Sequence, residues 1–184
     1  MAETRHTTSY YAASANPAPE RPALQGSHET DVCIVGAGFT GISAALHLAE
    51  QGFKVTVLEA VKVGFGASGR NGGQIVNSYS RDIDVLERTL GAQQARLLGD
   101  MAFEGGRIIR ERVAQYNIQC DLKDGGVFAA FNSKHMKHLE AQKQLWERYG
   151  HTQLEMLDSK RIREVVNTDI YVGGMLDMSG GHIH

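Results

Sequence analysis

The sequence predicts an α/β fold built around one βαβ unit, on three observations. Val32-Cys33-Ile34-Val35 is short, continuously apolar and β-branched, the pattern of a strand buried on both faces of a parallel sheet. Ile42, Ala45, Leu46 and Ala49 then recur at helical spacing, which predicts a helix over 39–51 stopped by Gly52. Lys54 to Leu58 reads as a second strand. Strand, helix and strand within about 30 residues make a βαβ unit with a right-handed crossover.

The rest of the chain follows in order. Residues 1–29 hold all three prolines, Pro17, Pro19 and Pro22, and read as an extended arm; Tyr10 and Tyr11 leave open that it docks on the body. After the second strand a glycine-rich run covers 64–73. A long helical pattern then reaches Tyr116, with Leu97, Met101, Ile108, Ile109 and Val113 on one side. Gly105 and Gly106 inside it predict a close backbone contact or a local break. Strands fit 117–122 and 126–131, separated by the turn signal Asp124-Gly125. Asn132 can cap a helix to Tyr149 in which Met136, Leu139 and Trp146 share a face, and Asp158 a short helix to Val166. A last strand fits 170–176, before Ser179-Gly180-Gly181 turns the chain.

Composition narrows the function classes. At 184 residues the chain fits one domain, or one plus part of another. Its 42% hydrophobic and 22% charged content is that of an ordinary globular protein, and a net charge of −2 lacks the basic excess of a nucleic-acid surface. No nucleic-acid partner is expected. Cys33 and Cys120 lie far apart, so neither a disulfide framework nor a zinc site is read, and a reducing compartment is the default. No secretory core and no apolar run of about 18–20 residues is present, so the expectation is a soluble, cytoplasmic protein with no membrane partner.

The chemistry sits at the first strand-to-helix turn. Gly36-Ala37-Gly38-Phe39-Thr40-Gly41 matches G-x-G-x-x-G, a weak pattern alone. Here it follows a predicted strand, opens a predicted helix and is followed by Glu59 at the end of the next strand, the context of a Rossmann-like dinucleotide site. Gly36 permits the tight turn, Gly38 lets backbone approach a pyrophosphate, and Gly41 lets helix pack on strand. The helix N-terminus offers unpaired N–H groups and positive dipole to the anion. Glu59 can accept hydrogen bonds from ribose hydroxyls. The bland alternative, a plain turn with a solvated Glu59, needs all these features to coincide.

FAD and NAD both use this unit, and the second glycine run helps to separate them. Ala67-Ser68-Gly69 can cradle a phosphate with successive N–H groups, and Arg70 can add charge. A flexible Gly/Ser linker is the competing reading, against which Arg70-Asn71 inside the run weighs.

The fingerprint at 31–59, followed by GFGASGRNGGQ at 64–74, resembles the FAD-dependent D-amino-acid-oxidase superfamily. Within it, the chain is most similar to the gamma-glutamylputrescine oxidoreductases of bacterial putrescine catabolism. That likeness runs through SYYAASAN (9–16), GFGASGRNGGQIVNSYSRDIDV (64–85), FEGGRIIRER (103–112), WERYG (146–150) and SGGHIH (179–184). It implies a flavoenzyme that oxidises a small amine to an imine, which hydrolyses to an aldehyde, with oxygen as electron acceptor and hydrogen peroxide as product. By position, Gly36, Gly38, Thr40, Gly41, Glu59 and Ala60 would hold the adenine nucleotide half. Gly66, Ala67, Ser68, Gly69, Arg70, Asn71, Gly72, Gly73 and Gln74 would line the pyrophosphate-to-flavin side. The loop has neither His nor Cys, so attachment there would be noncovalent.

The resemblance divides the chain into the arm at 1–29, the first part of an FAD-binding domain at 30–116 and the start of an α+β substrate domain at 117–184. Family members are more than twice as long, so the expectation is an N-terminal part of the fold, incomplete by itself, with weak FAD binding and no turnover in isolation. No catalytic residue is assigned.

Other residues invite a function and receive a plainer reading. His182 and His184 share a strand face but lack a third ligand, so no metal is assigned. His47, His135 and His138 read as surface histidines, Cys33 as a small core residue, and Arg107, Arg110, Glu111 and Arg112 as a solvated helix face. An NAD-dependent dehydrogenase and a non-catalytic nucleotide-binding module stay open as alternatives.

Overall fold

The computed structural model describes residues 8–79 and 81–184. By contacts it forms two compact units, Met1–Gly72 and Gly73–His184. The sequence reading divides the chain near residue 116 instead. In the structure the long helix before that point packs with the elements after it, so they fall in one unit.

In the first unit a short helix α1 (Tyr10–Ser14) is capped by Ser9, whose Oγ accepts the Ala12 N–H at 3.2 Å. Among the described residues of the arm, these five are helical and 8–9 and 15–29 are irregular; residues 1–7 lie outside the described residues. Strand β1 (Val32–Val35), helix α2 (Phe39–Glu50) and strand β2 (Val55–Leu58) follow, with β1 and β2 parallel and Val32 opposite Val55. The βαβ unit stands where the sequence places it. Gly52, at φ +90°, stops α2 with its N–H on the Ala49 carbonyl at 2.9 Å.

Burial in this unit corrects one expectation. Val35 is 86% exposed and Cys33 is exposed, so β1 is covered on one face only and Cys33 is no core residue. The reason is that, among the described residues, this sheet has two strands, with α2 against one side.

The second unit is a four-stranded antiparallel sheet carrying helices. It comprises β3 (Gln74–Ile75), α3 (Ile83–Leu90), α4 (Ala92–Gln115), β4 (Lys123–Ala130), α5 (Ser133–Arg148), β5 (Leu154–Leu157), α6 (Arg161–Val165) and β6 (Gly173–His182). Strand β6 is central: β4 pairs along one edge, and β5 and then β3 along the other. Leu157, Ile162 and Met175 are fully buried, and Leu139, Trp146 and Tyr149 join Met175 in the core. Asn132 caps α5 as predicted, its Oδ1 accepting the His135 N–H at 3.0 Å; Asp158 Oδ1 accepts the Arg161 N–H at 2.7 Å, but the N-cap of α6 is Lys160, which brings no side-chain cap.

Four expectations change here. Helix α4 turns Ala95, Gly99 and Gly106 inward, while Leu97 and Met101 lie 61% and 55% exposed. A Cβ on Gly99 would meet Ile83 Cδ1 at 2.8 Å, so close packing selects the small side chains. The helix runs unbroken through Gly105 and Gly106, and of the two expected outcomes it is the close contact, at Gly106, that occurs. Residues 117–122 form no strand, because Asn117 and Asp121 both adopt φ +48°. Asp124-Gly125 is no hairpin turn but an irregularity inside β4, and Ser179-Gly180-Gly181 does not turn the chain but continues β6.

Candidate cofactor site

The first unit assembles the glycine turn, Glu59 and the loop at 66–72. Gly36 has φ +99°, a conformation that favours glycine, and its N–H donates to the Leu58 carbonyl at 2.7 Å. That bond ties the turn to the end of β2. Gly41 packs on the turn itself: a Cβ there would overlap the Gly36 carbonyl oxygen and lie 3.3 Å from Ile34 Cγ2.

Helix α2 starts directly behind. Its first internal bond runs from Ile42 N–H to Gly38 O at 3.0 Å, so the amides of Thr40 and Gly41 precede the ladder. Gly38 is the N-cap and brings no side-chain cap. The Phe39 N–H instead donates to Ser68 Oγ at 3.0 Å, which draws the second glycine loop onto the first. Acting as acceptor there, the Ser68 hydroxyl keeps its own proton to donate. A Cβ on Gly38 would stand 3.0 Å from that oxygen, while Gly36 and Gly66 face open space.

Glu59 lies at the other side of the turn. Its Oε2 accepts the Ala37 N–H at 2.8 Å and its Oε1 the Val61 N–H at 3.1 Å. The Ala37 bond first, then Val61 and more weakly Ala60, hold the exposed carboxyl below the usual carboxylate range. A carboxylate offers about four acceptor positions, so capacity for ribose hydroxyls remains.

The loop at 66–72 is a 3-10 turn over Ala67–Gly69. Asn71 Nδ2 donates to Ser68 O at 2.8 Å, and Arg70 Nε donates to Phe65 O at 3.2 Å with the guanidinium 5.3 Å from the Phe65 ring centre. These bonds give the run a fixed shape, unlike a Gly/Ser linker. An uncluttered turn, amides ahead of a helix, a hydroxyl proton and an ionised carboxylate together suit the adenosine and pyrophosphate of a dinucleotide.

Gly73 and Gln74 fall in the second unit. The Gly73 carbonyl accepts the Ile183 N–H at 2.8 Å, and Gln74 pairs with His182 on β6.

Sequence reasoning missed a buried polar cluster in that unit. His151 and Asp177 are 4% exposed, and His151 Nε2 lies 3.1 Å from Asp177 Oδ1. His151 also stacks on Phe103 with ring centres 4.7 Å apart. Burial pushes the Asp177 carboxyl up, but hydrogen bonds from His151 and Ser179 outweigh it and hold it at about 2. The available signal was Asp-x-Ser-Gly at 177–180, an Asx-turn pattern: Asp177 Oδ1 accepts the Ser179 N–H at 2.9 Å. Arg110, read as a solvated side chain, instead bonds Gly180 O at 2.7 Å and Asp124 Oδ1 at 2.8 Å, because its length spans from α4 to the sheet. His184 closes the chain with its N–H on the Cys120 carbonyl at 2.7 Å. No helix among the described residues is long and apolar enough to cross a membrane.

The chain is similar to known proteins over most of its length. Residues 31–184 match the family model DAO, FAD dependent oxidoreductase. The chain is 61% identical to gamma-glutamylputrescine oxidoreductase of Escherichia coli K12 over 98% of its own length and 42% of that protein's. It is 42% identical to the probable oxidoreductase OrdL of Haemophilus influenzae over 100% of its length and 43% of that protein's. It therefore spans about two fifths of these relatives. Among solved structures, L-amino acid deaminase from Proteus myxofaciens superimposes with TM-score 0.68 at 20% identity, over 89% of this chain and 35% of that one. An FAD-bound L-alpha-glycerophosphate oxidase from Mycoplasma pneumoniae gives 0.61 at 21% identity, over 84% and 38%. Those likenesses establish the shared fold, and the family model resolves FAD against NAD: this chain belongs to the FAD dependent oxidoreductase (DAO) family.

Proposed function

We propose that the protein oxidises the primary amine of gamma-glutamylputrescine, or of a closely similar glutamylated amine, in putrescine breakdown. The observation that carries the cofactor half is the convergence of Gly38, the Ser68 hydroxyl and the Glu59 carboxylate around one helix N-terminus. The substrate half is supported by the 61% identity to the E. coli enzyme of that name.

FAD, bound without a covalent link, supplies the two-electron oxidation of the amine-bearing carbon. The amides at the start of α2 and the Ser68 hydroxyl hold the pyrophosphate, while Glu59 receives the ribose hydroxyls. The amine loses two electrons and two protons to give an imine, and water releases the aldehyde and ammonia. Oxygen takes the two electrons and two protons and leaves as hydrogen peroxide.

The test is a peroxide-coupled amine screen on protein purified in the length its gene encodes. A flavin absorption band is expected, with one peroxide and one aldehyde formed per gamma-glutamylputrescine consumed. A preparation with bound flavin that releases no peroxide from any amine refutes the reaction, and one that takes up no flavin refutes the site.

A further inference from the structure

Residues 15–29 of the arm are exposed throughout, yet the arm carries an ordered element ahead of them, the five-residue helix α1. A helix shorter than about 12–15 residues does not hold its shape in water unaided. The Ser9 cap and the bond from Ser14 Oγ to Tyr10 O at 2.6 Å are local, so contact with the body has to hold α1. Tyr11 makes such a contact. It is 37% exposed against 73% for Tyr10, whose ring meets it edge-on with centres 5.7 Å apart. Apart from the chain neighbours of Gly72, the one described atom within 4 Å of a Cβ built on that glycine is the Tyr11 hydroxyl oxygen, at 4.0 Å.

Gly72 ends a loop whose beginning is tied down elsewhere. The Gly64 N–H donates to Ala37 O at 3.0 Å, and Ser68 Oγ accepts the Phe39 N–H at 3.0 Å. Both bonds fix the loop to the glycine turn, at the end of β1. The arm is fixed at the start of β1, where Thr30 Oγ1 donates to Lys54 O at 2.6 Å and Asp31 Oδ2 accepts the Lys54 N–H at 2.8 Å. Residues 15–29 therefore cover the length of the strand and bring α1 to the loop. At up to about 3.3–3.6 Å per residue, that stretch reaches well past a four-residue strand. Pro17, Pro19 and Pro22 restrict its freedom, so less entropy is lost in holding it there.

We propose that the arm is a strap on the cofactor loop. Tyr11 is its positioning residue: it bears on Gly72 and so keeps the Gly66–Gly72 loop in the shape that receives FAD. This rests on the FAD reading above, and every residue involved belongs to one compact unit. Coupling of this kind is reciprocal. If Tyr11 strengthens FAD binding by some factor, FAD must hold α1 in place by the same factor.

The test uses protein of gene-encoded length, with and without FAD, and compares Tyr11→Ala with a control in the same arm, Leu24→Ala. Leu24 is 53% exposed and lies away from α1 in the chain. Tyr11→Ala should bind FAD about tenfold more weakly. In the unaltered protein FAD should slow hydrogen exchange over Tyr10–Ser14 by a similar factor, and Tyr11→Ala should abolish that protection. Leu24→Ala should leave both readouts alone, and the flavin-free forms should all melt at the same temperature. An unchanged Kd in Tyr11→Ala, or exchange over α1 indifferent to FAD, overturns the strap. A melting loss in flavin-free Tyr11→Ala with no change in Kd makes Tyr11 a stabiliser of the fold only. The exchange measurement on the unaltered protein needs no variant and decides the matter if Tyr11→Ala does not fold. Absence of flavin uptake by the unaltered protein instead sinks the FAD reading.

Discussion

Gly41 presses against Gly36: a Cβ on Gly41 would overlap the Gly36 carbonyl oxygen and stand 3.1 Å from its carbonyl carbon. Backbone held between β1 and α2 cannot swing aside as a side chain can. Gly41→Ala should therefore cost about 1–3 kcal/mol or more and abolish flavin retention. At Gly38 the obstacle is Ser68 Oγ at 3.0 Å, which can rotate away. Gly38→Ala should cost less than about 1 kcal/mol yet weaken FAD binding markedly. Melting curves and flavin titrations on the two variants check this inverted order.

Glu59→Gln tests the ribose end. The carboxylate already orders the turn through Ala37 and Val61 while keeping acceptor capacity. An amide replaces one acceptor by donors and removes the charge, so FAD affinity should drop about tenfold or more. Fluorescence titration measures the drop; an unchanged Kd would remove Glu59 from the site.

Acid should release Asp177. Its folded value of about 2 lies below the ordinary 3.8, so its stabilisation is present above about pH 4 and is lost as pH falls toward 2. That difference is worth about 2 kcal/mol. Between pH 5 and pH 2 the unaltered protein should lose about that much more stability than Asp177→Asn. Denaturant unfolding at several pH values gives the comparison, and parallel curves would contradict it.

Asp82 joins α3 to α5. It caps α3, and its carboxylate accepts from Trp146 Nε1 at 2.9 Å and Gln142 Nε2 at 3.1 Å. Asp82→Ala removes the cap and strands the indole N–H of a tryptophan only 6% exposed. A loss of about 2–3 kcal/mol is expected. Trp146→Phe in the Asp82→Ala background should add less than it does alone, a coupling that a double-mutant cycle reads directly.

The glycine turn, α2, β2 and the Asn132 cap were legible because each is decided within a few residues. Gly36 and Gly52 need positive φ whatever lies far away, and a polar cap acts on amides two or three positions ahead. Strands β3 and β5 escaped notice because each is too short to show a period and exists only by pairing with β6. The exposed outer face of β1 misled for the same reason: an apolar run states that a strand can be buried, while its neighbours decide whether it is.

The sequence by itself determined that a βαβ unit presents a dinucleotide turn, since Gly36, Gly38, Gly41 and Glu59 carry that requirement in their spacing. Tertiary structure alone decided that Ser68 would cap α2 across 29 positions, and that Ser179 and Gly180 would bulge within a strand. It alone paired His151 with Asp177 across 26 positions. Local rules fix backbone conformation, but which buried donor meets which acceptor depends on contacts that form only when distant segments pack.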